Sequence, residues 1–334
     1  MIINFNYTKK PIDYISGYIF KGKNYRCNYV RFKTLYNNFA LGTENVELYL
    51  FEPKKETRAS AIILHGLGSR NVKFILKLGP SLANAGVSTG ILILPGNYTR
   101  VESNSVSGRS YLYPDINIMY RFWEHGVIDT LSTIDLMEQL GLWKKNNILV
   151  GYCLGGMVST IVGAIDSRIN HLLFMTTGGH LPQILHQSPV TKFVRKLFES
   201  GLKTEYSLED KEKLYKIYDE QFPKVKKMSL EDIINADIHP LFKIDPISYA
   251  HLLDMSKVTF IDAYFDRTLS IQSRKMLYDE MEGANRKVLP ISHVSWLPFG
   301  YFLAKYMLYK LNINEKEIKK ALLIREKIEN PLEK

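Results

Sequence analysis

The chain of 334 residues is long enough for one large α/β domain with an insertion, or for two domains. Its 46% hydrophobic and 23% charged residues are an ordinary globular balance. The net charge of +10 comes from lysines scattered along the chain, often beside Glu or Asp. No basic run is interleaved with aromatic residues, so a nucleic-acid partner is not predicted.

The number of cysteines and the hydropathy of the chain further limit the class of protein. The two cysteines, Cys27 and Cys153, are too few for a disulfide framework. Residues 1–20 lack the apolar region and cleavage site of a signal peptide, and no apolar run reaches the length of an integral membrane segment. A soluble, intracellular protein, cytoplasmic in location, is therefore expected.

The first half of the chain predicts strands that alternate with helices. Residues 1–58 form a strand region, in which 46–51 alternate polar and apolar residues before Pro53, typical of an edge strand or hairpin member. Buried-type strands are predicted at 60–64 and 90–94, with a helix over 72–85 between them and another over 126–140. The loop 97–115 carries Arg100 and Arg109, interpreted as solvated rather than as contacts to an anionic substrate group.

One motif organises the chain around a single cysteine. A short apolar strand over 148–150 leads into Gly151-Tyr152-Cys153-Leu154-Gly155-Gly156, and an apolar helix follows. Strand, Gly-x-nucleophile-x-Gly and helix together form a nucleophile elbow, here with Cys in place of Ser. The helix dipole favours a thiolate at Cys153. The alternative is a buried structural Cys in a tight turn, and the motif alone does not separate the two.

The second half contains an insertion. After a strand over 169–175, residues 181–255 show helix starts and no strand-like run, which predicts a helical cap or lid. Strands resume at 258–264 and 286–290, and two amphipathic helices end the chain, the second beginning at Asn314 with Glu317 completing its cap. Residues 1–180 and 256–334 then form the core domain.

Side chains of a kind used in catalysis lie at several predicted strand ends. Alternating strands and helices give a mostly parallel sheet, whose strand C-termini share one edge. Cys153, Asp266 and His293 lie at or just past such ends, and His65-Gly66-Leu67 follows an earlier strand. Their consistent order favours a nucleophile, acid and base over three unrelated residues.

Two other residues compete for these roles. Asp262 is a second acid, but as the fifth residue of an apolar strand its register suits a loop histidine less well. His180 also follows a strand and is the reserve base, whereas His65 precedes the elbow.

These motifs resemble those of the α/β-hydrolase superfamily over about residues 45–310. The box around Cys153 is similar to the boxes of dienelactone hydrolases and polyhydroxyalkanoate synthases, which use a Cys-Asp-His triad. The sequence departs from dienelactone hydrolases in the 181–255 insertion, and it carries Ser292 where the family has Gly before the histidine. The resemblance implies an α/β-hydrolase fold with a mostly parallel central sheet flanked by helices and a helical cap insertion.

The expected activity is hydrolysis of a small-molecule ester or thioester through a covalent acyl-enzyme. Cys153, His293 and Asp266 are the expected catalytic residues, and Leu67 and Leu154 are expected to stabilise the oxyanion, with Gly66 and His65 beside them. No cofactor or metal is predicted, and the oligomeric state is left open. The alternatives are an acyltransferase that uses an acyl-CoA and a non-catalytic binding protein with the same fold.

Overall fold

The computed structural model describes residues 2–68 and 72–314. The described chain forms one nine-stranded sheet in the order β1-β2-β3-β5-β4-β6-β7-β8-β9. The strands are β1 (Tyr14–Lys21), β2 (Tyr25–Lys33), β3 (Asn45–Pro53), β4 (Ala59–Leu64), β5 (Val87–Ile93), β6 (Asn147–Tyr152), β7 (Leu172–Met175), β8 (Val258–Ala263) and β9 (Asn285–Leu289). Strands β1 to β3 and the β3–β5 pair are antiparallel, and every other neighbouring pair is parallel.

Helices cover both faces of this sheet. They are α1 (Lys73–Leu76), α2 (Leu78–Ala83), α3 (Ile116–Gln139), α4 (Leu154–Ile165), α5 (Leu181–Gln187), α6 (Lys192–Glu199), α7 (Lys211–Val225), α8 (Leu230–Asn235), α9 (Ile271–Asp279) and α10 (Gly300–Lys310). Because successive side chains of a strand point to opposite faces, β4 contributes Ile62 and Leu64 to the core beneath α3 and α4. Its Ala61 and Ile63 pack in the second core, with α2 and α10.

Strand β7 begins three residues after the predicted start at 169 and β5 three residues before the predicted start at 90, and three further predicted elements differ more from the structure. Strand β3 is interior, since it pairs with β2 on one side and β5 on the other, so the edge-strand expectation is wrong and the hairpin-member alternative fits better. Pro53 is tolerated because the β3–β5 pairing stops at Phe51. The helix predicted over 72–85 is divided into α1 and α2.

The third difference concerns α3, which begins ten residues before the predicted start at 126. Asp115 caps it by accepting hydrogen bonds from the N–H groups of Asn117 and Ile118.

At the other end of the chain, the proposed helix with Glu317 in its cap lies outside the described residues.

The described chain between β7 and β8 holds α5 to α8 and short 3₁₀ turns, with no strand. Asp245 joins this helical segment to the turn that follows β7, because its carboxylate accepts from the N–H groups of His180 and Leu181 and from the Tyr218 hydroxyl. Leu241 and Phe242 are fully buried in the same core as α3 and α4. These two side chains therefore dock the insertion. A lid function for residues 181–255 stays a prediction.

Candidate active site

Cys153 lies at the turn between β6 and α4. It is the N-terminal cap residue of α4, with φ 52° and ψ −114°, and only 6% of it is exposed. A positive φ is costly for a residue with a Cβ atom. Thr176, which follows the neighbouring strand β7, is strained in the same way with φ 45°. The strain lies at the C-terminal edge of the sheet, where the sequence predicted the site.

The glycines of the box are required by close backbone packing. A Cβ atom at Gly151 would lie 2.3 Å from the Gly155 carbonyl oxygen, and one at Gly155 would lie 2.4 Å from the Leu64 carbonyl oxygen. A Cβ atom at Gly156 would lie 2.5 Å from the Cβ atom of Thr177. No side chain fits at these distances, so α4 can approach β4 and β7 this closely only with glycine.

The turn after β4 lies directly against Cys153. A Cβ atom at Gly66 would lie 3.2 Å from that of Cys153. His65 Nε2 accepts a hydrogen bond of 3.0 Å from the Leu94 N–H, which leaves Nδ1 to donate to the Gly66 carbonyl at 2.8 Å. Burial lowers the pKa of His65 to about 4. The neutral ring therefore holds the turn in shape, with both nitrogens used inside the protein.

Two backbone N–H groups border this space. Leu154 is the first residue of α4 and has no acceptor within the helix. For the Leu67 N–H, the described residues provide no acceptor, whereas the next N–H, of Gly68, donates to Asn97 Oδ1 at 3.0 Å. Leu67 and Leu154 thus each present, beside Cys153, an N–H group for which the described residues provide no acceptor.

Asp266 and His293 meet, although 27 residues separate them. His293 Nδ1 donates to Asp266 Oδ2 at 2.7 Å. The other carboxylate oxygen, Oδ1, accepts from the N–H groups of Thr268 at 2.7 Å and Leu269 at 3.0 Å. Burial opposes ionisation of Asp266, but its bonds to His293 and to these N–H groups hold its pKa below the usual value.

The charge state of His293 follows from its neighbours. Burial disfavours the imidazolium, yet Cys153 and Asp266 outweigh it and raise the pKa of His293 to about 10. Because Nδ1 is occupied by Asp266, Nε2 is the nitrogen left for the Cys153 sulfur. These two neighbours favour the imidazolium form of His293 in the folded protein.

Two aromatic residues, to which the sequence analysis gave no role, pack around His293. The ring of Tyr152 lies 5.3 Å from that of His293 and 5.1 Å from that of Trp296, between centroids. Trp296 Nε1 also donates to the His293 carbonyl oxygen at 3.1 Å. Tyr152 stands beside the nucleophile in the box, but no local pattern marks Trp296, because only the tertiary fold brings the two rings together.

The competing acid and base are engaged elsewhere. The Asp262 carboxylate binds Arg274 Nε at 2.6 Å and an Arg286 nitrogen at 2.7 Å. His180 Nδ1 accepts from the Gln183 N–H as the cap of α5, and its ring centroid lies 4.7 Å from that of Tyr218. Both side chains therefore have structural partners.

The two arginines of the 97–115 loop differ from each other. The expectation that Arg100 is solvated is wrong, since it is 1% exposed and bonded to Asp129 at 2.6 Å. Arg109 is exposed and lies 4.9 Å from the centre of the Phe193 ring. Neither observation gives these side chains a substrate role.

The described residues hold neither a candidate metal cluster nor a candidate membrane-spanning helix. In residues 2–68 and 72–314, no group of three or more His, Cys, Asp or Glu side chains is arranged to hold a metal ion. Across the same two stretches, no helix combines the length and apolar character needed to cross a membrane.

No protein-family model matches the chain. A comparison with curated proteins also finds no match.

Solved structures, by contrast, resemble the chain over most of its length. Acetyl xylan esterase from Paenibacillus sp. R4 has a TM-score of 0.61 at 12% identity, over 89% of each chain. Acetyl xylan esterase 1 from Thermoanaerobacterium sp. JW/SL YS485 has a TM-score of 0.55 at 14% identity, over 90% of this chain and 89% of that chain. The acylaminoacyl peptidase of Pyrococcus horikoshii has a TM-score of 0.57 at 12% identity, over 86% of this chain and 41% of that chain.

Sequence identities of 12–14% show that the folds are alike and do not assign an activity to this chain. Together with the mostly parallel sheet flanked by helices, these likenesses confirm the fold predicted from the order of the motifs: the chain has the α/β-hydrolase fold.

Proposed function

We propose that the protein hydrolyses an ester or thioester through a covalent acyl-enzyme on Cys153. The observation that carries the proposal is the hydrogen bond of 2.7 Å between His293 and Asp266, combined with the effect of Cys153 on the pKa of His293. A nucleophile, a base in electrostatic contact with it and an acid that orients the base are the parts that acyl transfer needs. The similar structures named as esterases support an ester bond as the target.

The first half of the reaction acylates the cysteine. The Cys153 thiolate attacks the carbonyl carbon, a carbon–sulfur bond forms, and the carbonyl electron pair moves onto the oxygen. The N–H groups of Leu67 and Leu154 stabilise this oxyanion, and loss of one such donor slows related reactions by about 10²–10³-fold. Until this point the Asp266 carboxylate stabilises the imidazolium of His293. When the intermediate collapses, the leaving alkoxide or thiolate takes the proton from His293.

The second half releases the acid. Neutral His293 takes a proton from water, whose oxygen attacks the thioester carbon. Collapse breaks the carbon–sulfur bond and returns the Cys153 thiolate beside protonated His293. An acyltransferase differs only here, because an alcohol then replaces water as the acceptor.

Intact-mass spectrometry tests the proposal. The protein is mixed with acetyl, butyryl and octanoyl esters and with the matching acyl-CoA thioesters. We expect an acyl adduct that is absent in Cys153→Ala and decays in water. Cys27→Ala is the matched control, since Cys27 is fully buried and burial raises its pKa to about 12, so its loss should leave the adduct unchanged.

The other outcomes separate the remaining functions. An adduct that persists until an alcohol is added indicates an acyltransferase. No adduct from any donor, or one that survives in Cys153→Ala, overturns the proposal and favours a binding protein with this fold.

A further inference from the structure

Arg274 is an almost fully buried cation on α9. It is 2% exposed. Its Nε donates to Asp262 Oδ1 at 2.6 Å, one terminal nitrogen donates to the Leu269 carbonyl at 2.5 Å, and the other donates to the Ala263 carbonyl at 3.1 Å. The planar guanidinium thus bonds to three acceptors at once, which the point charge of a lysine does not reproduce.

Its two carbonyl partners lie directly before the loop that carries Asp266 and near the end of that loop. Ala263 is the last residue of β8, and Leu269 comes two residues before α9. We call residues 264–270 the acid loop. A weaker contact of 3.5 Å joins Arg274 to the Asp266 carbonyl in the middle of the acid loop. The guanidinium therefore fastens the loop along its length.

The acid loop has little apolar anchorage of its own. The side chains of Tyr264 and Phe265 are 69% and 57% exposed, so these residues hold the start of the loop only through their N–H groups, which donate to the Leu289 and Ile291 carbonyls. Leu269 is buried and is one of the residues that Arg274 holds. The N–H groups of Thr268 and Leu269 bind Asp266 Oδ1, so their position sets the orientation of the carboxylate. Displacement of the acid loop would turn Oδ2 away from His293.

We propose that Arg274 is a positioning residue that holds the acid loop so that Asp266 Oδ2 meets His293. The inference rests on the proposed function, because it gives Arg274 a role through the Asp266–His293 pair. Arg274 acts through the geometry of its three donor nitrogens, which we call the fork, rather than through its charge.

The charge of Arg274 and its hold on the acid loop have opposite effects on the pKa of His293. A titration of His293 can therefore separate the two roles. A terminal nitrogen of Arg274 lies 4.0 Å from Asp266 Oδ2 and weakens the attraction of that carboxylate for an imidazolium. Loss of this charge alone would raise the pKa of His293. Loss of the fork would separate Asp266 from His293 and lower that pKa.

The other charged or titratable groups that face this network are few. Cys153 and the Tyr152 ring lie against His293. Asp262 is shared between Arg274 and Arg286. Arg286 binds the same carboxylate as Arg274, and its described hydrogen bonds include none to a carbonyl of the acid loop. It therefore serves as the matched control.

The test is the titration of His293, followed by NMR of protein with ¹⁵N-labelled histidine and assigned with His293→Gln. In Arg274→Met we expect the pKa of His293 to fall by about one to two units. Arg274→Lys keeps the charge and loses the fork, so the fall should be at least as large. Arg286→Met should leave that pKa within about 0.3 units of the wild-type value.

Two results would overturn the proposal. One is a folded Arg274→Met or Arg274→Lys protein in which the pKa of His293 is unchanged or raised. The other is an equal fall in Arg286→Met. Should Arg274→Met lack the native circular dichroism spectrum, Arg274→Lys alone decides, because it keeps a cation beside Asp262.

Asp266→Asn separates failure of this inference from failure of the proposed function. If Asp266→Asn lowers the pKa of His293 and the Arg274 variants do not, only the positioning role fails. If Asp266→Asn also leaves it unchanged, the pair itself is absent and both proposals fail.

Discussion

The N–H of Gly155 donates a hydrogen bond of 3.0 Å to the carbonyl oxygen of His65. This bond joins the first turn of α4 to the turn after β4. The two turns carry Leu154 and Leu67, so the bond fixes the distance between the two N–H groups proposed to bind an oxyanion. Packing of the elbow and geometry of the site therefore depend on the same glycine.

Gly155→Ala should damage stability and acylation together. The new Cβ atom would lie 2.4 Å from the Leu64 carbonyl oxygen, which is a backbone atom and cannot rotate away. Because the backbone must shift, we expect a loss of about 3 kcal/mol in the free energy of unfolding. Acyl-adduct formation on Cys153 should slow by more than about tenfold. Urea denaturation and time-resolved intact mass measure the two effects.

Gly17→Ala in β1 is the matched control. A Cβ atom there would have only the Tyr29 carbonyl oxygen nearby, at 4.0 Å. Its free energy of unfolding should stay within about 0.5 kcal/mol of the wild-type value, with unchanged adduct formation. Similar losses in both variants would mean that the elbow has no special requirement for glycine.

Removal of the charge should slow the reaction at Asp266 but mainly reduce stability at Asp262, although the two aspartates are only four residues apart. Asp266 binds His293, so Asp266→Asn should reduce the rate of acyl-adduct formation by about 10⁴-fold. Asp262 binds Arg274 and Arg286, so Asp262→Asn should cost about 3 kcal/mol of stability and change the rate only a few-fold. Rates are compared at a temperature where both variants are folded.

The contrast also tests the choice of acid made from the sequence. A large rate loss in Asp262→Asn beside a small one in Asp266→Asn would assign the acid to Asp262. Comparable rate losses in both would mean that the rate reports stability rather than orientation of His293.

The elements of the sheet were predictable where hydrophobic pattern and turn residues agree. Strands β4 and β6 are continuous apolar runs that end in glycine turns, and both occur within a residue or two of their predicted limits. The start of α3 was missed because its first turns follow a polar loop, and only Asp115 marks the cap. Local pattern is strongest where a segment is buried on all sides.

The candidate site was predictable only as far as chain order and topology reach. Parallel strands bring their C-terminal ends to one edge, which is how Cys153, Asp266 and His293 could be grouped. The partners that orient them were not predictable, because Arg274 and Trp296 act through contacts that no spacing encodes. Arg100 was misassigned for the same reason, since its partner Asp129 lies on a different element.

Arg100→Met should be one of the most destabilising substitutions in the chain. Arg100 and Asp129 are 1% and 0% exposed, and the arginine also donates to the carbonyl oxygens of Ile93 and Thr43. Burial opposes ionisation of Asp129, yet His125 and Arg100 lower its pKa to about 2. Removal of the arginine leaves a buried carboxylate without its cation, so we expect a loss of about 3–5 kcal/mol in urea denaturation at pH 7.

A surface pair provides the comparison for this loss. Lys216 and Glu220 lie 3.9 Å apart on α7, and their side chains are 78% and 63% exposed. Lys216→Met should change the free energy of unfolding by less than about 0.5 kcal/mol, because solvent screens the pair. If Arg100→Met were equally mild, the buried network would not contribute to stability.

The pH dependence of stability should report the charge on His293. The pKa of His293 is about 10 in the folded protein, against 6.5 for the free side chain. A group whose pKa is raised by folding contributes its full stabilisation below the unfolded value and loses it as the pH passes the folded value. The free energy of unfolding should therefore fall between pH 6.5 and pH 10, by an amount on the order of 5 kcal/mol from this group.

His293→Gln isolates that contribution, because the other groups that titrate in this range remain. Urea denaturation at half-unit steps of pH should give a steeper decline for the wild-type protein than for His293→Gln, and the two curves should converge near pH 10. Parallel curves would show that His293 is not charged in the folded state, and the thiolate–imidazolium pair would have to be abandoned. Asp266→Asn should give an intermediate slope, since Cys153 still faces the ring.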